Sequence, residues 1–434
     1  MEIQAAIVLV VVFFLLLAYG IPVSFSIISS ALITIIMFLS PNFGMFISAQ
    51  KLVGGIDSFS LLAVPFFILA GLLMSSGGIA RRLINLALLL LGRVPGSLAL
   101  TNIAGNAMFG SISGSGIAAA TANGGVMNPL EKEHGYDETF SAAVNIASAP
   151  VGQLIPPTTA PIIYSAAAGG ISVSALLMAG WIPGLLWAGL CMIVALIYGQ
   201  KHGYVIKAEK VTASAVLKTV WEAIPSLFLI VIIIGGILSG YFTPTEASGV
   251  AVVYAFILSV CVYRSIKPSQ IMGILTETAV MTTIVMLIIG ASSVLSFVLS
   301  FTGLPQAISA LMLGISDNKI VILLIINLIL LIVGTFMDMA PALLIFTPIF
   351  LPVVTTLGMS PVQFGIMMIM NLAIGTITPP VGSVLFVGCS TAHLPVEDVM
   401  KKLIPFFLVI VAGLLVVTFV PALSMWLPGV LGLL

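Results

Sequence analysis

The sequence predicts an all-α polytopic membrane protein made of two inverted structural repeats, each with a re-entrant helical hairpin and a discontinuous helix. Three observations lead there. Of 434 residues, 60% are hydrophobic and 6% charged, too few polar groups to cover a water-soluble domain. Twelve of the fourteen basic residues fall on one side of a single threading through the bilayer. Glycines and prolines, the residues that turn or break helices, recur at a constant offset of 223 positions.

A helix needs about 20 apolar residues to cross hydrocarbon, and about eleven windows qualify. Full spans fall near residues 5–20, 22–40, 57–75, 137–166, 172–199, 216–240, 244–263, 273–301, 360–390 and 403–428. The first runs into the second without a small-residue cleavage site, and Met1–Gln4 carries Glu2 and no positive charge. It is expected to stay as a helix rather than leave as a signal peptide. A periplasmic N-terminus puts Arg81, Arg82, Arg93, Lys132, Lys201, Lys207, Lys210, Lys218, Arg264, Lys267, Lys401 and Lys402 on the cytoplasmic side. Only Lys51 and Lys319 then lie outside, as the positive-inside rule asks.

Two apolar stretches do not fit as single spans. Residues 97–129 have cytoplasmic markers at both ends, Arg93 and Lys132, and a polar, glycine-rich centre at Gly110–Gly116. Residues 320–357 have a polar kink at Gly334–Pro341 and both flanks on the opposite side. Each is predicted to enter and turn back, the two from opposite faces. Irregular backbone at membrane depth survives only where protein or a water-filled cavity satisfies it, so each tip is expected to line a site.

The 223-residue offset superposes Gly135 on Gly358, Gly152 on Gly375, Pro129 on Pro352, and Pro156-Pro157 on Pro379-Pro380. A chance match of apolar helices would share leucines and valines, whereas these positions govern backbone shape. Five full crossings separate residue 137 from residue 360, and an odd number inverts the second copy. Inverted repeats with interrupted helices point to the midplane site of a secondary transporter. The plainer readings are that each Pro-Pro pair is a kink and that Gly110–Gly116 is close helix packing. A phosphate loop would need a Gly-Lys-Ser/Thr ending, which this run lacks.

In this threading no basic residue lies near the bilayer centre, so an anion there must be held by helix N-termini and bound cations. Oxygen donors are plentiful: Ser111, Ser113, Ser115, Ser148, Gln153, Thr158 and Thr159 near the first break, and Thr335, Asp338, Thr376, Thr378 and Ser383 near the second. Hard donors of this kind suit Na⁺ over a transition metal. Asp338 stands out, because an aspartate at mid-helix costs about 2.5–3.5 kcal/mol on insertion. It can bind a cation, cap the second hairpin arm, or both. Glu222, Glu246 and Glu277 lie nearer helix ends and read as interfacial or subunit contacts. Zero net charge and the absence of a basic stripe exclude nucleic acid. Cys191, Cys261 and Cys389 lack metal-ligand spacing and read as buried thiols, and His134, His202 and His393 fall in loops.

Four segments carry a specific resemblance: GSISGSGIAAATANGGVMNP (Gly110–Pro129), IPPTTAPIIY (Ile155–Tyr164), GTFMDMAPALLIFTPIFLP (Gly334–Pro352) and NLAIGTITPPVG (Asn371–Gly382). On these the chain resembles, over essentially its whole length, the large membrane (DctM-like) subunit of tripartite ATP-independent periplasmic (TRAP) transporters, closest to those for sialic acid. The resemblance implies Na⁺-driven uptake of a small organic acid across the bacterial inner membrane by an elevator mechanism, as in the wider ion transporter superfamily. It implies scaffold helices in 1–75 and 201–301, a cytoplasmic arm in 76–96 and a periplasmic arm in 302–319. The two transport-domain halves would be 97–200 and 320–434. It places one Na⁺ around Ser111, Ser113, Ser115, Ser148 and Gly152, and a second around Thr335, Asp338, Gly375, Thr376 and Thr378. Substrate would lie between them, with Ser115, Thr158, Thr159, Asp338 and Ser383 as its contacts.

The implied partners are a small four-helix membrane subunit and a soluble periplasmic binding protein. Na⁺ is the implied cofactor, with no organic one. The small subunit is sometimes fused ahead of the large one, whereas this sequence starts at its first scaffold helix, so a separate partner chain is expected. Two transporters compete: a TRAP permease for C4-dicarboxylates or another carboxylate, and a stand-alone Na⁺/carboxylate symporter. A channel fits interrupted helices in matched halves poorly. An intramembrane hydrolase would want HExxH, G-x-S-x-G or a buried His, and none is present.

Overall fold

A computed structural model describes residues 2–39, 41–92, 94–204, 213–316 and 318–434; Arg93, Lys207 and Lys210 of the topology argument lie outside the described residues. All regular structure among the described residues is helical. Among the described residues, eight stretches are long and apolar enough to cross a membrane by length and composition.

Helices α1 (Glu2–Ala18) and α2 (Val23–Phe38) pack on each other. Helix α3 (Pro41–Ile56) was not among the expected spans, because Asn42, Gln50 and Lys51 depress its hydropathy. It forms a helix through tertiary packing instead: a Cβ on Gly55 would stand 2.4 Å from Ser293 Cβ, and one on Gly290 would stand 3.0 Å from the Leu52 carbonyl oxygen. Small residues let helix backbones approach this closely in a membrane. A 3₁₀ turn at Phe59–Leu62 leads into α4 (Ala63–Ser76). Gly77 and Gly78 (φ +68°) then turn the chain into α5 (Ile79–Leu91), whose Arg82 donates to the Gly78 carbonyl at 2.9 Å.

The stretch expected to turn back at 97–129 is a hairpin of α6 (Ser97–Ser113) and α7 (Gly116–Glu133), turning at Gly114 (φ +65°) and Ser115. The first discontinuous helix follows as α8 (Glu138–Ser148), a 3₁₀ turn Ala149–Gln153, a non-helical break, and α9 (Ala160–Ala167). Next come α10 (Val173–Ala179), α11 (Trp181–His202), α12 (Ala213–Leu238) and α13 (Pro244–Phe256). Glu246, expected at an interface, closes a capping box with Thr243 at the start of α13. A π turn at Ile257–Val262 extends α13 and leaves Cys261 exposed, so only Cys191 and Cys389 match the expected burial.

Helices α14 (Pro268–Thr302) and α15 (Leu304–Ile315) precede the second hairpin, α16 (Lys319–Phe336) and α17 (Met339–Thr356). Both arms of that hairpin are long enough to span, so length alone does not separate a re-entrant arm from a crossing. The second discontinuous helix is α18 (Pro361–Gly375), a break, and α19 (Ser383–Ala392). The expected span 403–428 is two helices: α20 (Val396–Phe419) starts earlier, after Pro395, and Val420-Pro421 separates it from α21 (Ala422–Val430).

The two halves pack alike. Each hairpin's first arm lies on its own half's discontinuous helix, α6 on the turn after α8 and α16 on α18. Each second arm crosses to the other half, α7 against α19 and α17 against α9. Tyr164 ties the halves together: its buried ring occupies the space over Gly365, where a Cβ would lie 2.4 Å from it, and its hydroxyl donates to the Pro361 carbonyl at 2.7 Å.

Candidate functional site

Bare backbone contacts bring each hairpin onto its break. A Cβ on Gly152 would stand 2.1 Å from the Gly110 carbonyl carbon, and one on Gly375 would stand 2.3 Å from that of Gly334. Neither separation admits a side chain, so glycine is required at both crossings. The residues following Gly110 and Gly334 are thereby fixed beside the interrupted helices. The Pro156-Pro157 and Pro379-Pro380 bonds within the two breaks are both cis.

In the first half Ser111 donates to the Met108 carbonyl (2.8 Å), and Ser148 donates to the Val144 carbonyl (2.7 Å) while accepting from the Asn106 amide (2.9 Å). Ser113 stands over the turn, 3.5 Å from the Ser115 nitrogen, and Ser115 caps α7 by accepting from the Ala118 N–H (3.3 Å). Thr158 is buried against the hairpin turn at Gly114, its hydroxyl without a hydrogen-bond partner.

In the second half the Thr335 hydroxyl donates to a carbonyl of its own helix, and the Thr376 and Thr378 hydroxyls, just past the end of α18, donate back to α18 carbonyls, all at 2.7 Å. The Thr335 carbonyl accepts from the Gly382 N–H at 3.2 Å, which closes hairpin onto break. Asp338 sits at the N-cap of α17 with extended dihedrals (φ −67°, ψ 158°). Its carboxylate lies beside the Met339 N–H and Ser383 but closes no capping hydrogen bond onto the helix.

A cavity of about 820 Å³ joins the halves. Ser115, Thr159, Asp338 and Ser383 of the five expected substrate contacts line it; Thr158 does not. Five helix N-termini end on it: Gly78–Arg81 of α5, Gly114–Ser115 of α7, Thr159-Ala160 of α9, Asp338–Ala340 of α17 and Ser383-Val384 of α19. Helix N-termini carry partial positive charge and free N–H groups. At α19 the first donors are taken, because the Val384 and Leu385 N–H groups bond to the Thr376 carbonyl. At α9 and α17, one from each half and packed together, no side chain caps the end.

Sequence reasoning missed two wall residues. Arg81, at the start of α5, and Glu277, in α14, are exposed and line the same cavity. The cavity wall thus carries one basic and one acidic side chain besides Asp338, and the threading places that basic residue on the cytoplasmic side. The signal was available in the amphipathic arm that opens with Arg81, but hydropathy alone assigns such a residue to a loop. Gln153 also lines the cavity with a buried carbonyl oxygen lacking a partner.

Hairpin tips and broken helices around a shared cavity define a membrane protein of the solute-carrier kind. The chain belongs to a known family of them: residues 10–423 match the family described as tripartite ATP-independent periplasmic transporter, DctM component. It is 49% identical over 416 residues to the uncharacterized protein YgiK of Salmonella typhimurium, covering 96% of this chain and 95% of that one. It is 38% identical over 417 residues to the isethionate TRAP transporter permease protein DctMQ of Oleidesulfovibrio alaskensis, covering 96% of this chain and 65% of that protein. It is also 38% identical over 413 residues to the sialic acid TRAP transporter large permease protein SiaM of Vibrio cholerae, covering 95% and 96%. Among solved structures, the YdaH transporter of Alcanivorax borkumensis shares the fold, with a TM-score of 0.64 over 88% of each chain at 15% identity.

Proposed function

We propose that this chain is the large transmembrane subunit of a Na⁺-coupled TRAP transporter that takes up a small organic acid across the bacterial inner membrane. The observation that carries the reading is the pair of uncapped helix N-termini, α9 and α17, opening on one cavity beside Asp338. Each offers roughly half a positive charge to a carboxylate. Hairpin carbonyls and hydroxyls offer cation sites on either side: Ser111, Ser113, Ser115, Ser148 and Gly152 for one Na⁺, and Thr335, Asp338, Gly375, Thr376 and Thr378 for the other. Bound Na⁺ neutralises Asp338 and leaves the helix ends and Arg81 free to attract the anion, which couples the two ligands.

The matched packing of the halves supports inverted repeats, and two breaks meeting two hairpins support a transport domain that moves as a body against the remaining helices. The cavity runs from the hairpin tips to Arg81, a residue the charge asymmetry assigns to the cytoplasm, so we read this conformation as open inward with the N-terminus periplasmic. A small four-helix membrane subunit and a periplasmic binding protein complete the transporter. Sialic acid is the substrate we favour, and the isethionate permease among the relatives makes another small organic acid the alternative.

The test is reconstitution in liposomes with the partner subunit and candidate binding proteins. Uptake of labelled sialic acid should require an inward Na⁺ gradient and the binding protein, and Asp338→Asn should weaken Na⁺ dependence while the protein still inserts. Uptake by the chain alone would establish a stand-alone symporter. Unchanged Na⁺ dependence in Asp338→Asn would remove the second ion site from the proposal.

A further inference from the structure

The base of the first hairpin holds a polar interior that the transport reading does not use. Glu131, in the last turn of α7, is fully buried. One carboxylate oxygen accepts from the Asn102 amide at 3.2 Å, while the other has no hydrogen-bond partner. Ser141 of α8 faces the carboxylate without closing a hydrogen bond, and the hydroxyls of Ser97 and Thr101 and the side-chain oxygens of Asn123 and Asn128 are also buried and unpartnered.

No cation answers this carboxylate among the described residues. Helix α6 and the turn Ala149–Gln153 carry no titratable side chain. From α8, Glu138 pairs with Lys132 at 2.9 Å, and Asp137 at its N-cap pairs with Lys402 at 3.1 Å. Arg82 of α5 stacks 3.7 Å over the Tyr263 ring, Arg81 lines the cavity, and Cys389 of α19 is a buried thiol. The Tyr136 phenol is the titratable neighbour that senses the charge of Glu131. A buried carboxylate without a counter-ion neutralises itself rather than stay charged.

We propose that Glu131 is a proton-binding site that competes with Na⁺ at the Ser148 site through a ladder of asparagines. A carboxyl proton would donate to Ser141, satisfying two of the unpartnered atoms at once. The ladder runs from Glu131 to Asn102, from the Asn102 carbonyl oxygen to the Asn106 amide (3.3 Å), and from that amide to the Ser148 hydroxyl oxygen (2.9 Å). When Glu131 ionises, it draws the Asn102 amide to itself, and the polarised Asn102 oxygen holds the Asn106 amide more firmly. The Asn106 amide, which also donates to the Asn145 side-chain oxygen at 3.0 Å, is drawn toward Asn102, and the new negative charge favours a cation at the Ser148 oxygen. Sodium binding therefore sends the Glu131 proton to the medium, one charge in for one charge out.

The inference rests on the proposed first Na⁺ site, and the experiment separates the two. Binding of ²²Na⁺ to the purified full-length chain is measured from mildly alkaline to mildly acidic pH, with proton release followed by a dye in weak buffer. Wild type should lose Na⁺ affinity on acidification, approaching about tenfold per pH unit in the limit of one-for-one exchange. Glu131→Gln, which mimics the protonated state, should bind Na⁺ several-fold more weakly at alkaline pH. It should also release one proton fewer per chain. Sodium binding with the same slope and proton release in wild type and Glu131→Gln overturns the proposal alone. Absence of Na⁺ binding to wild type at every pH overturns it together with the first Na⁺ site. Absence of proton release from wild type on Na⁺ binding overturns the proposal even where the variant does not fold.

Discussion

Replacing Gly152 by alanine tests the geometry at its tightest point. The added Cβ would stand 2.1 Å from the Gly110 carbonyl carbon, 2.2 Å from its Cα and 2.5 Å from its oxygen. All three are backbone atoms, so no rotamer change relieves the clash, and an ordinary carbon contact requires the hairpin to withdraw by about 1 Å or more. Overpacking of this kind costs about 1–3 kcal/mol of stability. A displacement of about 1 Å in a positioned site costs on the order of a hundredfold in rate. Na⁺-driven uptake in proteoliposomes should therefore fall by about two orders of magnitude, far more than the amount of folded protein falls. Gly125→Ala is the control: it lies in α7 with no atom within 4 Å of its added Cβ, and it should leave uptake unchanged. Gly375→Ala, 2.3 Å from the Gly334 carbonyl carbon, should repeat the defect in the second half. Wild-type rate and Na⁺ affinity in Gly152→Ala would refute the claim that this crossing sets the first ion site.

Arg81→Gln should raise the KM for an anionic solute more than it lowers the maximal rate, because Arg81 lines the cavity wall away from the hairpin tips; equal loss in both would remove it from the substrate path. Tyr164→Phe should cost about 0.5–1.5 kcal/mol of thermal stability by removing the hydrogen bond to Pro361. Gly365→Ala, against the ring itself, should cost about 1–3 kcal/mol. Burial opposes ionisation of Asp137, but hydrogen bonds from Thr139 and Lys402 outweigh it and hold the carboxyl below its ordinary range. Its contribution is thus complete at neutral pH and lost as pH falls below the ordinary carboxylate range; Asp137→Asn should flatten that part of an acid-denaturation curve.

Much of this architecture was legible because the bilayer constrains it harshly. Both hairpins and both breaks were placed from glycine, proline and charge positions alone, since irregular backbone at membrane depth needs such residues. Helix α3 was missed because tertiary contact at Gly55 and Gly290, and not apolarity, holds it. Arg81 and Glu277 were missed because hydropathy sorts residues by depth and says nothing of which cavity they border. Glu131 was missed for a related reason. One residue from Lys132 it reads as surface, and only the fold buries it beneath α6 and α8.

The two halves are alike in backbone and unlike in charge. Ser115 caps α7 and is occupied in doing so, whereas Asp338 at the matching turn leaves its helix uncapped and keeps its carboxylate unspent. On the sodium reading, the second ion meets a negative charge directly, while the first meets only neutral oxygens. A site of neutral oxygens in a low-dielectric interior binds Na⁺ weakly unless some anion stands within electrostatic reach. Glu131 is placed to be that anion, three hydrogen bonds from Ser148. Each half would then own one carboxylate per sodium, one in contact and one at a distance. Because the distant one can hold a proton while the ion is away, the first site would empty without leaving a bare charge in the hairpin. That predicts an order of release: at acidic cytoplasmic pH the first Na⁺ leaves before the second. Two-step ²²Na⁺ dissociation, with only the fast phase accelerated by acid, is the expected result, and Glu131→Gln should abolish that acceleration.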